Sequence, residues 1–125
     1  MKIYVFEDEA LLLKSLEFRL SKEGYDVNCF SNGLEAKQKL QEELPDLIIT
    51  DIMMPFLNGL ELISFVRNDL KSQVPIIVLS AAGLEKTVLE AFNLGADDFV
   101  SKPFSPNELL IRIKKMSHRI KISVM

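Results

Sequence analysis

The stretch Leu47-Ile48-Ile49-Thr50-Asp51-Ile52-Met53-Met54-Pro55 decides the fold. Its apolar start reads as a buried strand, and Met53-Met54-Pro55 reads as the loop that ends it. A parallel sheet presents its functional groups at the carboxyl ends of its strands, and Asp51 stands at such an end. The flanking sequence repeats the same grammar. Before it, residues 2–6 form a β-branched and aromatic run that stops at Glu7-Asp8-Glu9. A helix is predicted over about residues 9–23, with Leu12, Leu13, Leu16 and Leu20 at helical spacing and Gly24 as its stop. Residues 25–30 predict a second strand. Ser31-Asn32-Gly33 opens a second helix over about residues 33–43, with Leu34, Ala36 and Leu40 as its apolar positions.

After Pro55, Asn58-Gly59 is a tight turn leading into a third helix over about residues 59–70. Pro75 marks the entry to a fourth strand, Ile76-Ile77-Val78-Leu79, which ends at Ser80-Ala81-Ala82-Gly83. A fourth helix over about residues 84–94 ends at Gly95, and residues 97–101 form a short fifth strand. Lys102-Pro103-Phe104 follows. Ser105-Pro106-Asn107-Glu108 then starts a helix to about residue 118, with Ser105 as cap and Pro106 in the first position. Strand and helix thus alternate five times, which predicts a parallel sheet with right-handed helical crossovers on both faces. The expected architecture is a three-layer α/β/α sandwich. Residues 1–118 form one domain, and 119–125 either prolong the last helix or begin a linker.

Composition sets the outer bounds. At 48% hydrophobic and 26% charged residues, with a net charge of −3, the chain is an ordinary globular domain. The mild acidity argues against direct nucleic-acid binding by this segment. One cysteine, Cys29, excludes an internal disulfide and reads as a small core residue rather than a nucleophile. No apolar run approaches the roughly 20 residues that span a membrane. Residues 1–6 meet acid at Glu7, so they do not read as a signal peptide, and the expected location is cytoplasmic.

Four of the five strand ends finish in polar groups: Glu7-Asp8, Asp51, Ser80 and Lys102. An aspartate that merely capped its strand would not require the other ends to be polar as well. Three carboxylates in one crevice repel one another, and a hard divalent cation relieves that repulsion. Oxygen ligands of this kind suit Mg²⁺, with Mn²⁺ or Ca²⁺ as substitutes. Lys102 adds a mobile positive charge that can hold a phosphoryl oxygen or pair with Asp51, and the Ser80 hydroxyl can donate to another such oxygen.

The motifs Val5-Phe6-Glu7-Asp8-Glu9, Asp51-Ile52-Met53-Met54-Pro55 with Asn58-Gly59, Leu79-Ser80-Ala81 and Lys102-Pro103-Phe104 resemble a response-regulator receiver domain over about residues 2–119. The resemblance implies the flavodoxin-like strand order 2-1-3-4-5. It implies that Asp51 is the phosphoacceptor, taking a phosphoryl group from the phosphohistidine of a histidine kinase or phosphotransfer protein. Glu7, Asp8, Asp51 and the backbone carbonyl of Met53 match the Mg²⁺ ligands, held directly or through water. Lys102 matches the phosphoryl contact, Ser80 and Phe99 the switch pair, and Lys102-Pro103 a bond commonly cis in the family. The switch would act on the surface of the fourth helix, fifth strand and fifth helix.

Departures from the family pattern carry their own expectations. Glu7 stands where aspartate is frequent, and Phe99 stands where tyrosine is common. Met53 and Ala82 occupy the two positions that modulate autodephosphorylation, and neither side chain can orient an attacking water. The C-terminal part is similar to receivers joined to winged-helix DNA-binding domains. In those, Asp97, Asp98, Glu108, Arg112 and Arg119 would belong to charged pairs on a homodimer face, and the basic partner of Glu108 falls here at Val88. Two rival readings are a phosphohydrolase resembling haloacid dehalogenases and a pseudo-receiver that only binds partners. The first is disfavoured by Met53, where those enzymes usually carry a second aspartate. The second is disfavoured by the intact Asp51, Lys102 and acidic pair.

Overall fold

The computed structural model describes residues 1–81 and 83–124, with side chains through residue 120. Five strands, β1 (Lys2–Phe6), β2 (Asp26–Phe30), β3 (Leu47–Asp51), β4 (Ile76–Ser80) and β5 (Asp98–Ser101), form one sheet in the order β2-β1-β3-β4-β5. All neighbours are parallel. The helices between them are α1 (Ala10–Lys22), α2 (Gly33–Glu42), α3 (Gly59–Ser64), α4 (Glu85–Leu94) and α5 (Pro106–Val124). The expected three-layer sandwich and strand order are therefore present.

Strand alternation builds two cores. Tyr4, Phe6, Ile48, Ile76 and Val78 point to one face, where they meet Ala36, Leu40, Leu62, Val66 and Ala91 of the helices. Ile3, Val5, Leu47, Ile49, Ile77 and Leu79 point to the other, against Leu16, Leu20, Leu109 and Ile113. Each fully buried Val, Leu, Ile or Phe among them contributes about 1.5–3 kcal/mol of burial free energy. β3 and β4 are buried along their whole length, as their unbroken apolar runs predict. The same alternation continues past Val5 to Glu7 and past Ile49 to Asp51. It carries both carboxylates to the α1/α5 side of the sheet.

The helix starts follow the sequence signals. Asn32 Oδ1 accepts the Glu35 N–H at 3.0 Å, and Ser105 Oγ accepts the Glu108 N–H at 3.1 Å. Asn58 and Glu61 form a reciprocal capping box on α3. Two expectations change and one alternative is settled. The third helix is α-helical only to Ser64 and continues as a π-helical segment, Phe65–Asp69. Of the two alternatives for the tail, the structure takes the first: the last helix is prolonged past residue 118 to Val124. Leu34, expected among the apolar positions of α2, is exposed, because it stands off the helical face that Gly33, Ala36 and Leu40 bury.

The loop after β3 is fixed by backbone contacts. The Ile52 N–H donates to the Leu79 carbonyl at 3.1 Å, and the Gly59 N–H donates to the Ile52 carbonyl at 2.6 Å. A Cβ at Gly59 would lie 2.5 Å from the Asp51 carbonyl oxygen and 2.8 Å from Ile52 Cα, so no side chain fits there. Gly59→Ala is expected to destabilise the domain by about 1–3 kcal/mol, since the obstacle is backbone that cannot step aside. Urea denaturation would show a lower midpoint at constant slope; an unchanged midpoint would mean that the loop yields freely.

Candidate functional site

β1 and β3 are neighbours, and their register sets Val5 beside Ile49 and Phe6 beside Thr50. One step further, Glu7 and Asp51 leave the sheet side by side. Asp51 is paired with Leu79, and Ser80 with Ser101, so the ends of β4 and β5 lie next in the row. Lys102 follows directly, and its N–H donates to the Ser80 carbonyl at 2.7 Å. The Lys102-Pro103 bond is cis.

The centre of the site is a buried ion triad. Lys102 Nζ donates to Glu7 Oε1 at 2.5 Å and to Asp51 Oδ2 at 3.0 Å. Glu7 is fully buried and Asp51 is 6% exposed. Burial pushes the Glu7 carboxyl up to about 7, the neighbouring Asp51 adds to the rise, and Lys102 opposes it. Burial alone would lower Lys102, but its hydrogen bonds to Glu7 and Asp51 outweigh that and raise it. The sequence alone offered Asp51 as the partner of Lys102; the structure gives Glu7 the shorter contact.

Asp8 is exposed at the rim. One carboxylate oxygen from each of Glu7, Asp8 and Asp51 lies within 4.8 Å of the others. Three carboxylates and one ammonium carry a net charge of −2 when all are ionised. Hard oxygen donors with that charge fit a divalent cation such as Mg²⁺. The Met53 N–H donates to Asp51 Oδ1 at 3.4 Å, which turns the Met53 peptide toward the site while its side chain is 61% exposed.

Ser80 is buried at the end of β4, and its hydroxyl donates to the Ala81 carbonyl at 3.0 Å. Phe99 is half-buried and meets Phe92 of α4 edge-on, with ring centroids 5.9 Å apart. A cavity of about 330 Å³ lies between α4 and the sheet, lined by Ser80, Leu84, Val88, Leu89, Phe92 and Phe99. Ala82 lies outside the described residues. Cys29 is half-buried, and burial pushes its thiol up to about 12, away from reactivity.

The five charged residues near the C-terminus form contacts within the chain. Asp97 accepts from Arg67 at 3.1 Å and from the Ile76 N–H at 2.8 Å. Asp98 accepts twice from Arg112, at 2.7 and 2.9 Å, and Glu108 lies 3.6 Å from the same guanidinium. Arg119 Nη1 contacts Met116 Sδ at 3.5 Å. Val88 is 8% exposed and belongs to the core, so position 88 is not a surface partner for Glu108. Arg67 escaped the sequence reading altogether, because its partners are chiefly backbone carbonyls far along the chain.

Among the described residues no helix is long and apolar enough to cross a membrane. Residues 3–114 match the family described as the response regulator receiver domain. A response regulator structure from Chloroflexus aurantiacus is 34% identical, with a TM-score of 0.85 over 92% of this chain and 95% of that one. The receiver domain of the Francisella response regulator 1452 is 30% identical, with a TM-score of 0.86 over 94% and 97% of the two chains. Full-length FixJ from B. japonicum is 30% identical with a TM-score of 0.87; the match spans 98% of this chain and 60% of that longer one. The match over residues 3–114, together with the strand order and the four polar strand ends, establishes that the chain belongs to the response regulator receiver family.

Proposed function

We propose that Asp51 is the phosphoacceptor of this receiver domain. Receivers are phosphorylation-controlled switches, which implies a histidine kinase or phosphotransfer partner. The observation that carries the assignment is the placement of the Lys102 ammonium between Glu7 and Asp51, at a strand end with Asp8 beside it. An Asp51 oxygen forms the new P–O bond while the P–N bond to the donor imidazole breaks; the imidazole leaves neutral, keeping the proton on its other nitrogen. Glu7, Asp8, Asp51 and the Met53 carbonyl would hold Mg²⁺, which when bound neutralises charge on the phosphoryl oxygens. Mn²⁺ or Ca²⁺ could occupy the same oxygen donors. Lys102, already turned to Asp51, contacts a phosphoryl oxygen. Ser80 exchanges its bond to the Ala81 carbonyl for one to the phosphoryl group.

The same reading makes α4, β5 and α5 the output face, with Phe99 turning inward as Ser80 moves. Asp97, Asp98, Glu108, Arg112 and Arg119 would contribute to a homodimer there. The domain is taken as residues 1–118, cytoplasmic, with 119–125 leading toward an output segment such as a DNA-binding domain. Direct nucleic-acid contact is not assigned to this segment.

Intact mass after incubation with acetyl phosphate and Mg²⁺ is the direct test. The parent chain is expected to gain one phosphoryl group and Asp51→Ala none; equal labelling of both would move the acceptor elsewhere.

The ionisation of Glu7 predicts a pH dependence. Its carboxyl titrates near 7 in the folded chain against an ordinary value of 4.5. A raised carboxyl favours the folded state while protonated. That contribution is complete below about 4.5 and is lost as the pH rises through about 7. With metal chelated, the parent should therefore lose stability across this window relative to Glu7→Gln, whose amide does not ionise. Parallel pH–stability curves for the two proteins would contradict it. Because a cation needs the ionised carboxylates, Mg²⁺ should bind more tightly as the pH rises through the same window.

Met53 and Ala82 offer no group to position water, so the aspartyl phosphate should last minutes or longer. Decay of the added mass within seconds after removal of the donor would refute this.

A further inference from the structure

The edge of the sheet opposite Asp51 holds a second polar assembly, centred on Arg67 in the π-helical segment. Its side chain is only 10% exposed. Nε and Nη2 both donate to the Gly95 carbonyl, at 3.1 and 2.8 Å. Nη1 donates to the carbonyls of Ser72 and Val74, at 2.9 and 2.8 Å. Nη2 also reaches Asp97 Oδ2 at 3.1 Å, and that oxygen accepts the Ile76 N–H at 2.8 Å. One guanidinium thus ties the end of α3, the entry to β4, the end of α4 and the entry to β5. Gly95 is shaped to this contact. Its φ is +120°, and a Cβ there would lie 2.8 Å from Arg67 Nε and 2.9 Å from Cγ.

The two ends of α4 are held very differently. At the C-terminal end, the Gly95 N–H bonds to Ala91 and Phe92, the Ala96 N–H to Ala91, and the Asp97 N–H to the Ile76 carbonyl. At the N-terminal end, Leu84 supplies no side-chain cap, and Gly83 precedes it with φ +89°. The 330 Å³ groove, open to solvent, starts at that end beside Ser80 and runs along the helix as far as Phe92. Ile76 stands three residues before Leu79, the register partner of Asp51, so clasp and carboxylate are separated by about 10 Å along the sheet. The helix between them, at ten residues, is about 15 Å long.

We infer that the Arg67 clasp is a fixed pivot for α4, so that a change at Asp51 moves the N-terminal end of the helix while Gly95–Asp97 stays in place. A helix clasped at one end, and at the other without a side-chain cap and next to an open groove, responds by tilting, not by sliding. The inference rests on the reading of Asp51 as phosphoacceptor; it adds where the response stops.

The test is an amide and guanidinium NMR titration of the full chain with beryllofluoride and Mg²⁺, a phosphoryl mimic. Shifts are expected at residues 84–89 and to fade along α4, with the Gly95, Ala96 and Asp97 amides and the Arg67 Nε–H unmoved. Clasp signals that shift as far as those of residues 84–89 would overturn the pivot. Arg67→Lys keeps the charge but lacks the fork. In a folded Arg67→Lys the shifts should spread to residues 95–97; a response still confined to 84–89 would show that Arg67 is not what holds the helix. Hydrogen exchange on the mimic-free parent supplies an independent reading. The Gly95 and Ala96 amides should exchange roughly tenfold or more slower than the helix-bonded amides of residues 88–90, and the reverse gradient would also overturn the pivot. Loss of every shift at Asp51 and Lys102 would instead count against the phosphoacceptor assignment, with the exchange gradient still judging the pivot.

Discussion

The contact on which the site depends is the bridge from Lys102 to Glu7 and Asp51. Two carboxylates this buried cannot stand beside each other unpaired, because desolvation penalises each charge and proximity penalises both. The ammonium makes the arrangement tolerable, and Glu7, rather than Asp51, takes the closer contact. The bridge also spans the sheet. It connects the end of β1 to the end of β5 across β3 and β4, closing the crevice that strand register opens. A phosphoryl group on Asp51 would compete with Glu7 for one cation. The glutamate at this position is therefore an active participant in the charge balance, not a passive replacement for aspartate.

Most of the architecture was legible because its causes are local. Ile76 to Leu79 is a buried strand because it is apolar throughout, and Asn58, Asn32 and Ser105 start helices because their side chains cap nearby amides. The polar strand ends could be read as a set once the strands were known to be parallel. Among Glu7, Asp8 and Glu9, alternation from Ile3 and Val5 was the available signal for which acid turns inward, and burial of Glu7 agrees with it.

The unread features have non-local causes. Arg67 looked like one more charged helix residue, since backbone carbonyls at Ser72, Val74 and Gly95 leave no mark on the sequence. The π-helical widening at Phe65–Asp69 has no composition of its own. The roles of Ser80 and Phe99 rest on family resemblance, because a hydroxyl after a strand and an aromatic within one are common in any sheet.

The cavity beside Phe99 has a thermodynamic consequence of its own. The space opens to solvent, so the apolar side chains that line it stay hydrated. The Phe99 ring already lines the space under α4. A side chain that filled the groove would remove that apolar surface from water. Any arrangement that fills the groove therefore carries a negative heat-capacity change, with no change needed at the carboxylates.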